Sequence, residues 1–335
     1  MMLRALFLWL WAVSAAADPL RVAVYNVELD RDGPGLLLRD ILRGDPQAQA
    51  VAAVVADVSP DILLLTRFDY DLGLMALSAF NDLLGAARYP HLFALRPNTG
   101  RATGLDLNLN GRLGEPEDAQ SYGEFAGQNG MAVLSRHPVG PEVRDFTGFL
   151  WRDLPEARLP MAGDDPFWEP EVLEALRLST TGHWDLPVGI GGRVLHLLAF
   201  HASPPVFDGP EDRNGLRAAD ELRFWQLHLG GAFGPPPGPL TVLLGTANID
   251  PGKGDGRHGT MRALLADPRL QDPQPRDAEG TETADWPDGP GRMRVDYVLP
   301  GAALKVLGAG LAGTPPGEPG SRHKLVWVDL AFPPP

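Results

Sequence analysis

Cysteine is absent from this chain, so no disulfide staples the fold and a buried core must carry its stability. Beyond the first residues there is no long apolar run either, and no later stretch approaches the length of a membrane span. Positive charge is in short supply: 29 Lys and Arg stand against 43 Asp and Glu, for a formal net charge of −14. An acidic body repels polyanions unless a basic groove or bound cations intervene, so long duplex nucleic acid is a disfavoured partner. No short-period repeat is present.

What the chain does have begins at its start. MMLRALFLWLWAVSAAADPL carries one basic residue, Arg4, an apolar run from Ala5 to Val13, and small residues at Ala15 and Ala17. This is the pattern of a secretory signal cleaved after Ala17; it assigns residues 1–17 to a signal peptide and predicts a secreted or periplasmic protein. The run is too short to remain as a membrane-spanning helix. Residues 18–335 can bury a large core as one domain.

The apolar patterning then alternates between two periods. Leu20 to Val27 alternates with valines and reads as a strand ending near Asn26. Leu36 to Val58 has helical spacing, broken by the turn Gly44-Asp45-Pro46. Asp61 to Thr66 reads as a strand, Met75 to Leu84 as a helix, and His91 to Leu95 as a strand. That order puts the first half in an α/β class. A long polar, glycine-rich segment from 96 to 128 precedes a strand at Gly130 to Ser135. Residues 155–170 show no periodicity. Arg193 to Phe200, Leu240 to Gly245, Met293 to Leu299 and Leu325 to Leu330 read as further strands, and Ala218 to Leu229 as a helix.

Polar residues sit where these strands stop: Asn26, Arg67, His201, Asn248 and Asp296, with His323 just before the last strand. Each taken singly is an ordinary strand-end or loop cap. Together they are the residue types that chemistry on phosphate esters requires. Carboxylate and amide oxygens suit Mg²⁺, Mn²⁺ or Ca²⁺, and imidazoles suit hydrogen bonding to a phosphoryl oxygen or proton transfer.

In sequence and order, YNV at Asn26, NGMAVLSR at 129–136, FHASP at His201, GTAN at Asn248, RVDYVL at Asp296 and SRH at His323 resemble the endonuclease/exonuclease/phosphatase superfamily of deoxyribonuclease I-like phosphoesterases. The resemblance covers nearly the whole chain. It implies a four-layer α/β/β/α sandwich, α/β (α+β) in class, with two packed mixed sheets. It also implies a divalent-metal-assisted phosphoesterase acting on a phosphate ester. His201, Asn248, Asp296 and His323 would be catalytic, Asn26 would lie at the metal and the phosphate, and Asp296 would help hold the metal.

Three positions depart from that pattern. Arg67 stands where the family has a metal-binding Glu, Thr246 where it has an Asp, and Arg322 where the last motif has an Asp. Exchanging a carboxylate for a guanidinium changes a site by two charges, which weakens metal binding there. Asp69 or Asp71 would be the replacement ligand if one entered the site; alternatively Arg67 binds phosphate through its planar fork, with Arg213 and Arg217 extending the anion site. Two functions therefore stand open: a secreted phosphoesterase, or an inactive relative serving as an anion-binding or protein-binding module.

Overall fold

The computed structural model describes residues 19–315 and 317–334, so the signal-peptide assignment lies outside the described residues. Eleven strands build two large sheets: β1 (Leu20–Leu29), β2 (Ile62–Phe68), β3 (His91–Phe93), β4 (Gly130–Ser135), β5 (Arg144–Asp145), β6 (His183–Ile190), β7 (Arg193–His201), β8 (Thr241–Thr246), β9 (Asp296–Pro300), β10 (Lys305–Ala312) and β11 (Leu325–Ala331). One sheet runs β10-β11-β1-β2-β4-β3 and the other β9-β8-β7-β6-β5. Both are mixed: β1 and β2 are parallel in the first, β7 and β8 in the second, and the remaining neighbours are antiparallel.

Strand parity explains the layers. Ala23, Tyr25 and Val27 of β1 face a core shared with α1 (Leu36–Leu42), α2 (Pro46–Val58) and α3 (Met75–Leu83). The alternate residues Val22 and Val24 face inward, against Leu197, Val242, Leu244 and Val298 of the opposing sheet. On its far side that second sheet packs Leu198, Phe200, Leu243 and Tyr297 against α5 (Arg213–Leu229) and α6 (His258–Leu265). A short α4 (Pro170–Ala175) adds Val172 to the same core. The result is the expected helix, sheet, sheet, helix stack. No helix among the described residues is long and apolar enough to cross a membrane.

Some elements differ from expectation for identifiable reasons. The expected strand from Met293 to Leu299 is interrupted, because the amide of Arg294 donates to Asp250 and those of Val295 and Asp296 both donate to Thr283 Oγ1. Met293 instead belongs to a small ribbon, Gly291–Met293 against Ala284–Trp286. Strand β10 has no readable alternation because Gly308 and Gly310 interrupt it. The second glycine is needed for packing: a Cβ at Gly310 would come within 2.6 Å of the Trp327 ring. Helix α5 starts five residues ahead of its apolar face, at Arg213.

Candidate functional site

Five of the inward-facing strand rows end in a polar residue at the same rim. Val22 and Val24 lead to Asn26, Ile62 and Leu64 to Thr66, Leu197 and Ala199 to His201, Val242 and Leu244 to Thr246, and Val298 runs back to Asp296. Register aligns them: Asn26 lies opposite Thr66, and Thr246 lies between His201 and Asp296. The two sheets touch at this rim through the hydroxyls of Thr66 and Thr246, 2.8 Å apart.

Asp296 is fully buried and accepts from three side chains. Thr246 Oγ1 donates to Oδ1 at 2.6 Å, while Thr283 Oγ1 at 2.9 Å and His323 Nδ1 at 2.7 Å share Oδ2. Because the Thr246 proton is spent on Asp296, Thr66 must be the donor to Thr246. With the Asp296 carboxylate accepting from the ring, Nδ1 carries a proton, and in that neutral tautomer Nε2 has the lone pair. Trp286 packs edge-on against the His323 ring at 5.2 Å and fixes its plane.

His201 and Asn26 are buried and unsatisfied. His201 Nδ1 and Asn26 Oδ1 have no hydrogen-bond partner, and the two residues are 7% and 1% exposed. Burial pushes the His201 pKa down to about 3, and the Arg67 charge pushes it the same way against the pull of Asp296. His201 is therefore neutral at neutral pH, able to give or take one hydrogen bond. Asn248 holds a left-handed backbone, φ 55°, and its side-chain amide donates to Ala202 O, tying it to the residue after His201.

Arg67 marks the edge of this cluster. It too is left-handed, φ 54°, and so is Glu28 on the neighbouring strand, φ 49°. The β1–β2 and β2–β4 registers both slip at these residues. Left-handed backbone in a non-glycine residue costs of order 1–3 kcal/mol, so the contacts made here must outweigh that. Arg67 donates to Glu28 at 3.0 Å, to Asp30 at 3.0 Å and to Asn129 at 3.1 Å. Arg322 reaches the same Glu28 through its backbone amide at 2.8 Å and its Nε at 2.9 Å, and Ser321 Oγ bonds Asn26 O at 2.6 Å. Burial pushes the Glu28 carboxyl up, but the hydrogen bonds from Arg322 and the charges of His323 and Arg67 outweigh it and hold the group below its ordinary value.

Asn26, His201, Asp296 and His323 of the expected site thus meet, with Asn248 beside them and Arg67 at the margin. Asp69 and Arg213 do not join them. Asp69 is a buried structural acceptor for the amides of Asn129 and Arg31, and burial pushes its pKa up to about 7. Asp71 caps α3 by accepting from Met75 and Ala76. Arg213 pairs with Glu211 and lies over the Phe167 ring. Arg217 is buried and donates to the carbonyls of Leu178, Gln120 and Arg177, pinning the 96–128 loop. Glu28, Thr66, Thr283 and Ser321 were not expected. Parity alone points to Thr66, one residue before Arg67, whereas the left-handed turn at Glu28 hides its position.

The donor set does not suit a divalent cation. Asp296 has both oxygens taken, Glu28 is taken by two arginines, and Asp69 by two amides. Among the described residues no group of three His, Cys, Asp or Glu is arranged to hold a metal. A dication about 4 Å from a guanidinium is repelled by roughly 8 kcal/mol at an effective dielectric of 20. The magnesium expected from the resemblance has one free buried oxygen to meet here, Asn26 Oδ1.

Comparison with known proteins matches this architecture. The sequence profile of the Endonuclease/Exonuclease/phosphatase family matches residues 23–323. An endonuclease/exonuclease/phosphatase from Beutenbergia cavernae is similar in structure, with 20% identity over 94% of this chain and 72% of its own, and a TM-score of 0.57. A family protein from Bacteroides thetaiotaomicron has 16% identity over 95% of this chain and 100% of its own, TM-score 0.54. Sphingomyelinase C from Streptomyces griseocarneus has 17% identity over 93% of this chain and 99% of its own, TM-score 0.50. At such identities these likenesses speak for the fold. No curated protein matches the chain by sequence.

Proposed function

Because the chain belongs to the endonuclease/exonuclease/phosphatase family, we propose that it is a phosphoester hydrolase working at the rim formed by Asn26, His201, Asn248, Asp296 and His323. The observation that carries this reading is the buried pair His323 Nδ1 and Asp296 Oδ2, 2.7 Å apart beside the unsatisfied His201 and Asn26. With Nδ1–H committed to the carboxylate, Nε2 takes a proton from water as its oxygen attacks phosphorus in line. The ester P–O bond on the opposite side breaks, its electron pair leaves with the alcohol oxygen, which takes a proton from solvent, and His323 gives its own proton up to solvent. Neutral His201, through a ring N–H, and the Asn26 side-chain NH₂ donate to the phosphoryl oxygens, where charge grows in the transition state.

The substrate we propose is a small phosphate ester rather than long duplex nucleic acid, given the net charge of −14. We propose export as well, on the N-terminal pattern; the exported protein should then begin at Asp18, as N-terminal sequencing would read. A panel of phosphomonoesters and phosphodiesters, each with EDTA, Mg²⁺, Mn²⁺ or Ca²⁺, tests the activity. Turnover abolished by His323→Ala supports it, and no turnover of any ester under any condition overturns it.

A second reading, an anion-binding or protein-binding module without turnover, is favoured by Arg67 holding Glu28 and Asp30 where the family has an acidic ligand. It predicts saturable phosphate binding by calorimetry with no hydrolysis in the same panel.

A further inference from the structure

Three carboxylates lie at the rim and its margin, Glu28, Asp30 and Asp296, together with two guanidiniums, Arg67 and Arg322. Arg67 spans Glu28 and Asp30 at 3.0 Å each, and Arg322 closes the other side of Glu28. The side chains of Glu28 and Asp30 are 9% and 18% exposed, and each is bonded by the Arg67 guanidinium. A metal ion would normally neutralise such a pair. Here planar forks already do so.

The consequence reaches His201. Its unpaired Nδ1 is buried, and the Arg67 charge acts on the ring in the same direction as burial, against protonation. Asn26 Oδ1 is likewise free, and its backbone carbonyl is held by Ser321, which precedes Arg322. Arg67 follows Thr66, the register partner of Asn26, and Arg322 follows Ser321, which holds the Asn26 carbonyl, so both arginines are one residue from groups that position Asn26. We infer that Arg67 and Arg322 take the place of a divalent cation in this site, so that it handles a singly charged phosphodiester without metal. The charge class follows from the balance: three acids against two bases leave no surplus positive charge, so a phosphomonoester dianion meets about twice the repulsion of a diester monoanion, and the monoanion is the class that hydrogen-bond donors can hold. This inference rests on the phosphoester reading above but is separable from it.

The test uses the exported chain, stripped of metals, in two arms. In the first, Mn²⁺ and Mg²⁺ alone are titrated into the unmodified protein and into Arg67→Ala by calorimetry. The unmodified protein should show no saturable binding at millimolar metal, whereas Arg67→Ala, with Glu28 and Asp30 released, should gain a site that Glu28→Gln in the same background removes. Tight binding to the unmodified protein overturns the inference even if no variant folds. In the second arm, bis(p-nitrophenyl) phosphate and p-nitrophenyl phosphate are compared with and without EDTA. Diester turnover unchanged within twofold by EDTA, and at least tenfold above the monoester, is expected. Turnover that needs added Mg²⁺, or that favours the monoester, overturns the inference while leaving phosphoester hydrolysis standing. If neither ester turns over with or without metal, metal-free diester turnover is overturned, hydrolysis is left to the wider ester panel, and the metal titrations decide whether Arg67 and Arg322 occupy the place of the cation.

Discussion

The hydroxyl of Thr246 donates to Asp296 Oδ1 over 2.6 Å and itself accepts from Thr66, so a neutral side chain completes the buried bonding of the carboxylate that orients His323. Thr246→Val would leave one Asp296 lone pair and the Thr66 hydroxyl without partners in the core. A loss of about 1–3 kcal/mol is expected from chemical denaturation. Thr246→Asp would set two carboxylates within hydrogen-bonding distance, and they would have to share a proton. That variant should be closest to wild-type stability near pH 4 and fall behind it steadily toward pH 8.

Acid stability follows His201 and His183. Burial pushes both pKa values down to about 3 from an ordinary 6.5. The unfolded chain therefore binds protons that the folded chain refuses, and stability is complete above pH 6.5 and is lost as pH falls toward 3. His201→Gln should flatten this acid limb, and melting temperatures measured from pH 7 to pH 4 would show it. An unchanged slope would mean that His201 is accessible to protons in the folded state.

Removing Arg67 takes away a positive charge that opposes protonation of His201. In Arg67→Ala the His201 ring should titrate at higher pH than in the unmodified protein, read from its proton NMR shifts. The His183 titration, whose influences come from Glu221, His228 and Arg217, should not move.

Replacing His323 by Ala should lower kcat/KM on any ester turned over by roughly 10²–10⁴-fold, the usual contribution of a positioned general base. Asp296→Asn should cost a large part of that, because an amide can present its NH₂ to Nδ1 and reverse the tautomer. The pH profile of Asp296→Asn against that of the unmodified protein separates a tautomer effect from simple unfolding.

Arg217→Met would strip donors from the carbonyls of Leu178, Gln120 and Arg177. A destabilisation of about 2–5 kcal/mol is expected, with the buried Glu221 left facing an apolar neighbour. Limited proteolysis should find new cuts between residues 98 and 128, since Gln120 lies in that loop.

Much of the fold was legible from period alone: β4 matched its expected range residue for residue, and the Gly44-Asp45-Pro46 break does separate α1 from α2. The signals failed where tertiary contacts replace propensity. Strand β6 carries Pro187 and Gly189, and β10 is interrupted by glycines that make room for Trp327. At the site, the polar residues that stop the strands marked the ends that meet, and in the structure they close inward-facing rows, which a period of two keeps from shifting without turning a whole row outward. It could not predict Glu28 or the fate of Asp69, since the left-handed residues Glu28 and Arg67 reset the count beyond Thr66. A bulge of this kind has no signature in side-chain type.

The coupling of Arg67 to Glu28 and Asp30 also bears on how such a site changes over generations. Arg67→Glu alone would crowd a third acid onto two buried ones, and Glu28→Gln alone would leave Arg67 and Arg322 with less to hold. Each single step leads through a less stable chain, so the trio forms an epistatic lock: lineages carrying one member should carry the others, and exchange of one member requires compensated, near-simultaneous replacement of the rest.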